Sequence, residues 1–230
     1  MELSPDSIVF WQWGFVTLNA TLVFTWAIIL FLGICSWLIT RQLSADVEIT
    51  HWQSSLEILV SNVREQIRQT SGQDPDIYLP FIGTLFIFIA TSNILSIVPF
   101  YQPPTGSLST TSALAICVFF AVPFYGIRQQ GIGKYLLTYL QPNPVMLPFH
   151  IISELSRTLA LAVRLFGNVM SAGMIAGLLL SIAPFFFPAI MQLLGLLTGV
   201  IQAYIFAILA LVYIGAGIQK NSEDTQKPQK

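Results

Sequence analysis

Ala162-Val163-Arg164-Leu165-Phe166-Gly167-Asn168 lies within an apolar segment running from Leu159 to Pro188. A guanidinium stays protonated in proteins, so Arg164 brings a permanent positive charge into a stretch that otherwise belongs in lipid. Insertion scales put the cost of such a charge at a helix centre at roughly 2.5–3.5 kcal/mol. A charge held at that cost marks a candidate functional site, and it also decides what kind of chain surrounds it.

Outward from this segment, the 230 residues are 54% hydrophobic and only 9% charged, well below the roughly 25% charged residues of a soluble domain. Long apolar runs that do not alternate predict membrane-spanning helices and exclude a barrel of ~10-residue alternating strands. The fold class expected is therefore all-α, a polytopic membrane protein in a lipid bilayer. A net charge of −1 leaves no basic face for nucleic acid. Cys35 and Cys117 sit inside apolar runs and read as small packing groups, with no zinc or redox spacing. The first charges, Glu2 and Asp6, do not make the basic start of a signal peptide, so the first apolar stretch reads as a retained span.

Five spans are expected in one membrane domain. They run over 13–40, 78–101, 107–127, 145–183 and 185–218, after an outer N-terminus at 1–12 and before a disordered inner tail at 219–230. The fourth is too long for an upright crossing of about 20 residues, so it must tilt or begin in the interface, and the fifth is long and tilted too. Pro184 and Pro188 place the turn between them. With the N-terminus outside, Arg41, Arg64, Arg68, Arg128, Lys134, Lys220, Lys227 and Lys230 all fall inside, and no Lys or Arg falls outside. Within the inner segment 41–77, Trp52, Leu56, Leu59, Val60, Val63 and Ile67 recur every three or four residues. Charged and amide side chains fill the other face, predicting an amphipathic helix on the membrane or on a partner.

At 100° per residue, His150, Ser153, Glu154, Arg157, Arg164, Asn168 and Ser171 fall within one sector of roughly 100° on the fourth helix. A polar stripe at membrane depth must face water, protein or an ion path. Glu154 is nearly three turns from Arg164, so the counter-charge for Arg164 is expected from another subunit. Arg157 and Glu154 are spaced to pair with each other near the inner end, either as an interfacial salt bridge or as part of a path. His150 and Glu154 offer two ligands without a third, so no metal and no cofactor is expected. On the fifth helix Gly195, Thr198, Gly199, Gln202 and Tyr213 share a face, with Gly195 and Gly199 spaced for close helix approach.

Arg164-Leu165-Phe166-Gly167-Asn168, followed at the right distance by Gln202-Ala203-Tyr204-Ile205-Phe206, resembles subunit a of the rotary F-type ATP synthases. The helix order, the long fourth span, the inner amphipathic segment and Pro99 at the end of the second span are similar too. The resemblance implies a membrane stator that does no chemistry itself. Two offset aqueous half-channels would pass protons or sodium ions to and from a carboxylate on each subunit of a rotating c-subunit ring. It implies Arg164 as the essential arginine, and Asn168, Gln202 and Tyr213 as ring-facing or channel positions; the polar stripe itself adds Glu154, Arg157, His150 and Ser171 to the candidate ion pathway. The partners implied are the c-ring and the b-type subunits of the peripheral stalk, in a bacterial inner membrane. Many members carry an acid five residues after the motif asparagine and a His or Glu seven before the motif glutamine. Here these positions are Gly173 and Gly195, gaps similar to those of the N-type branch. Where many members have Asp or Asn before the closing proline, Ser96 precedes Pro99 and Asn93 lies a turn earlier. The alternative is a self-contained channel or transporter, which would need an internal counter-charge for Arg164 or a pore-lining ring. An intramembrane enzyme would need a convergent catalytic set that the chain lacks.

Overall fold

A computed structural model of the chain describes residues 9–13, 16–41, 60–61, 63–69, 75–98, 101–133, 135, 147–182 and 187–219. Among these residues five helices are long and apolar enough to cross a membrane. They are α1 (Ala20–Arg41), α2 (Leu79–Ile94), α3 (Leu108–Gln130), α4 (Leu147–Ile182) and α5 (Phe187–Gln219). The all-α polytopic reading holds for this membrane-spanning body. The inner tail, Pro99, Pro184 and the Trp52–Leu59 part of the amphipathic segment lie outside the described residues.

The N-terminal end differs from expectation. The first span was expected from Trp13, but Val9–Trp13 (β1) and Val16–Asn19 (β2) pair as an antiparallel hairpin and the helix begins at Ala20. Hydropathy alone does not separate the two: Val16, Thr17, Trp11 and Trp13 are apolar enough to extend a span, yet are β-branched or aromatic and favour a strand.

Local signals set the other helix ends. Pro80 occupies the first turn of α2, where its missing N–H has no helical acceptor to lose. Ser107 caps α3 by accepting a hydrogen bond from the Ser109 N–H at 3.2 Å. Gly131 ends α3 at φ 82°, a conformation that favours glycine. Between α2 and α3 the turn Pro104–Gly106 folds inward and is wholly buried.

Helix α5 is the hub, packing on α2, α3 and α4, while α1 touches the bundle mainly through α2 and the Pro104–Gly106 turn. Phe206, Ala203, Ala210 and Ile214 of α5 meet Leu161 and Leu165 of α4, Ile82 and Ile89 of α2, and Ala115 and Val118 of α3 in one core. Lipid tails are as apolar as these side chains, so close packing rather than water exclusion must hold the helices together. Outward-facing apolar residues such as Leu193, 73% exposed, belong against acyl chains. The expected amphipathic helix is present at 60–61 and 63–69, with Ile67 buried in the core beside Tyr78 and Val63 packed against it. Its described part therefore docks on the bundle itself. Arg64, on its polar side, pairs with Asp76 in an exposed salt bridge that joins this helix to the start of α2. Such surface pairs contribute at most about 1 kcal/mol.

Candidate intramembrane ion site

Helix α4 buries Leu161, Ala162 and Leu165 and leaves Arg164 exposed on the flank of that face. Among the described residues no carboxylate pairs with Arg164. Ser171 and Ile175, two and three turns further along the same side, are exposed as well. The cation therefore lies on an outward surface at span depth.

Asn168, one turn from Arg164, is half-buried and donates from Nδ2 to the Thr198 carbonyl of α5 at 3.3 Å. Nearer the start of α4 the guanidinium of Arg157 lies over the Tyr213 ring, 5.6 Å from its centroid. This cation–π contact is worth roughly 0.5–2 kcal/mol depending on desolvation. The expected polar faces of α4 and α5 thus meet at two levels, Asn168 with Thr198 and Arg157 with Tyr213. His150 and Glu154 lie half-buried on the first turns of α4. Gln202 is only 5% exposed, so it points into the bundle rather than sharing the open surface of Arg164. Its amide nitrogen is buried with no hydrogen-bond partner among the described residues. An orphaned donor of this kind costs about 1–3 kcal/mol and calls for a partner such as water.

A polar knot lies above Arg164, toward the connection between α2 and α3. Asn93 of α2 is 4% exposed, donates from Nδ2 to the Gly199 carbonyl at 2.9 Å, and accepts from the Thr105 hydroxyl at 2.8 Å. Its own backbone carbonyl accepts from Ser96 Oγ at 2.6 Å, and Ser92 Oγ lies 3.4 Å from Thr105 Oγ1. A methyl group at Gly199 would stand 2.9 Å from Asn93 Cβ, so only glycine fits without displacement. The two glycines predicted to bring helices together act on different neighbours. Gly199 admits Asn93 of α2, whereas a Cβ at Gly195 would meet Ala172 of α4 at an ordinary 3.6 Å.

Beside this knot is a cavity of about 200 Å³ bounded by α2, the α2–α3 connection, α4 and α5. Asn93, Ser96, Tyr101, Asn168, Gly173 and Gly195 are among its walls. The Tyr101 hydroxyl is buried near the Ser92 hydroxyl, and burial, outweighing that neighbour, pushes the phenol up to about 12. Tyr101 and Thr105 went unnoticed in the sequence. Their only signal was polarity in a short connection, a property shared by most connections. No group of three or more His, Cys, Asp or Glu side chains capable of holding a metal occurs among the described residues.

An apolar bundle of five long helices, with an exposed arginine that meets no carboxylate among the described residues and a polar cavity one turn away, defines a multi-pass membrane protein with a charged site at span depth. Residues 21–215 match the family model described as ATP synthase A chain, and the chain belongs to that family. It is 62% identical over 226 residues to ATP synthase subunit a 2 of Acaryochloris marina, covering 98% of this chain and 97% of that protein. It is 57% identical over 230 residues to ATP synthase subunit a of Albidiferax ferrireducens, with both chains fully covered. It is 57% identical over 225 residues to ATP synthase subunit a 1 of Crocosphaera subtropica, with 98% of each covered.

Proposed function

We propose that Arg164 is the fixed cation that separates two ion half-channels and discharges each passing carboxylate of a c-subunit ring. Family membership makes the chain the membrane stator subunit of the ion-translocating sector of an ATP synthase, a component of a complex without ATP chemistry of its own. The observation that carries the finer reading is the position of Arg164: exposed, unpaired among the described residues, and one turn from the polar cavity walled by Asn168.

The orientation follows from the positive-inside distribution, with the N-terminus outside and the C-terminus cytoplasmic in a bacterial inner membrane. The cavity walled by Asn93, Tyr101, Asn168 and Gly195 then opens toward the outside and serves as the entry half-channel. Ions leave toward the inner end of α4, past Arg157 and Tyr213 and the half-buried His150 and Glu154. Ser171 lies on the ring-facing side, and Gln202 tunes the path from within the seam.

At 4 Å and an effective dielectric near 20, a carboxylate feels about 4 kcal/mol of attraction to a guanidinium. That is enough to favour the ionised form and expel its proton or sodium ion. The same fixed charge repels a cation that would cross directly from one half-channel to the other. Lysine would not serve equally, because burial can neutralise it. The membrane potential supplies ~2.3 kcal/mol per charge per 100 mV. The b-type subunits of the peripheral stalk hold the stator against the ring's torque.

In the reconstituted complex, Arg164→Ala should abolish ATP-driven ion uptake and ion-driven ATP synthesis while the subunit still inserts. Coupled transport near wild type in that variant would end this reading.

A further inference from the structure

The described walls of the entry cavity hold no group that ionises near neutral pH. Among the described residues no Asp, Glu, His, Lys or Arg lines it. From Leu165 to Ala203, across the outer part of α4 and the first half of α5, the chain carries no Asp, Glu, His, Lys, Arg, Cys or Tyr. None occurs from Leu79 to Phe100 either, so α2 presents only the amide of Asn93 and hydroxyls. On every element around the cavity the titratable and charged groups lie elsewhere. Helix α4 has Arg164 just below the cavity, then Arg157, Glu154 and His150 toward its start. Helix α5 has Tyr204 and Tyr213, both beyond Gln202. Helix α3 has Cys117, Tyr125 and Arg128, and α1 has Cys35 and Arg41, none of them in the cavity wall. The α2–α3 connection contributes Tyr101, whose phenol stays neutral because burial holds it at about 12.

The walls nonetheless include uncharged polar side chains, Asn93, Ser96, Asn168 and Thr198 among them. Asn93 is committed on both sides of its amide, to Gly199 and to Thr105, and forms a rigid polar floor. Tyr101 lines a space of about 200 Å³, room for several waters at ~30 Å³ each.

We infer that the outer access path carries ions on water held by uncharged groups alone, so it has no protonation state of its own. Resting on the half-channel reading above, this assigns the outer-side pH response of coupled transport to the ring carboxylate rather than to any described residue of the cavity wall. A path without fixed charge also does not discriminate by its own acid or base between a proton and a small cation; the choice falls to the ring.

The test uses the whole complex in liposomes. ATP synthesis is driven at a fixed membrane potential while pH on the entry side is varied from about 5 to 9. Each variant's rate is divided by the wild-type rate at the same pH, so the change in driving force cancels. A side chain begun at Gly173 meets nothing within 4 Å of its Cβ, so the cavity can accept one. Gly173→Glu should give a ratio that changes with pH, on the order of tenfold per pH unit on one side of the new step. Gly173→Gln, matched in size, and Tyr101→Phe should give flat ratios. A Tyr101→Phe ratio that bends in this range would show that the native path already has a protonation state, and overturn the inference. Gly173→Phe separates this from the underlying reading. If it leaves transport intact, the cavity is not the entry path and the half-channel reading fails. If it blocks transport while the Gly173→Glu ratio stays flat, the path stands and the inference about its charge fails.

Discussion

Asn93 does for the bundle what a disulfide does for a secreted domain, at far lower cost. A single amide ties α2 to Gly199 of α5 and to Thr105 of the α2–α3 connection, with both contacts buried. Asn93→Leu would remove both bonds and leave Thr105 without this acceptor, a loss of about 1–3 kcal/mol. Thermal unfolding of the detergent-solubilised subunit should shift down accordingly. Gly199→Val attacks the same contact from the other side, since the first added carbon already lies 2.9 Å from Asn93. Overpacking of this kind costs about 1–3 kcal/mol. Combining it with Asn93→Ala, which removes the clashing atoms beyond Cβ, should recover part of that loss. Gln202→Leu belongs to a different group. It removes an orphaned amide rather than a bonded one, so coupled transport should fall less than with Arg164→Ala while subunit stability holds or rises. Equal damage from the two substitutions, measured as ATP-driven ion uptake, would reverse their ranking.

At the scale of elements, the connection between α2 and α3 carries a pH signature. Tyr101 ionises near 10 in an unfolded chain and near 12 in the folded one, because burial disfavours the phenolate. Below 10 both states are protonated and this contribution to stability is fully present. As pH rises from 10 to 12 the unfolded chain releases a proton that the folded chain retains, so stability falls. Unfolding temperature in detergent should drop more steeply over this range for the wild type than for Tyr101→Phe. Much of the rest was legible beforehand. A period of 3.6 residues suffices to put Arg157, Arg164, Asn168 and Ser171 on one side of α4, and hydropathy suffices to find five spans. The start of α1 was not legible, because Val16 and Thr17 suit a lipid-facing helix and a strand equally by polarity. The contact of Asn93 with Gly199 was not legible either, since the two are 106 residues apart and no local pattern names a partner at that distance. The cavity follows from that contact and was hidden with it.

For the whole molecule, the open flank of α4 is the surface that assembly should cover. Ile175 and Ser171 share it with Arg164, and all three are exposed in the single chain. A cysteine at Ile175 should react with a maleimide in the isolated subunit and become protected in the complete complex. Full reactivity in the complex would place the ring on another face. The length of α4 then acquires a mechanical meaning. Its 36 residues at ~1.5 Å each make a rod of about 54 Å, and the hydrocarbon layer is only ~30 Å deep. A rod that long must lean, and a leaning rod reaches its two ends at positions displaced sideways as well as in height. On the proposed reading, a wheel rolling along it would take on cargo at one azimuth and shed it at another, so the slope of one helix sets how far apart loading and unloading lie.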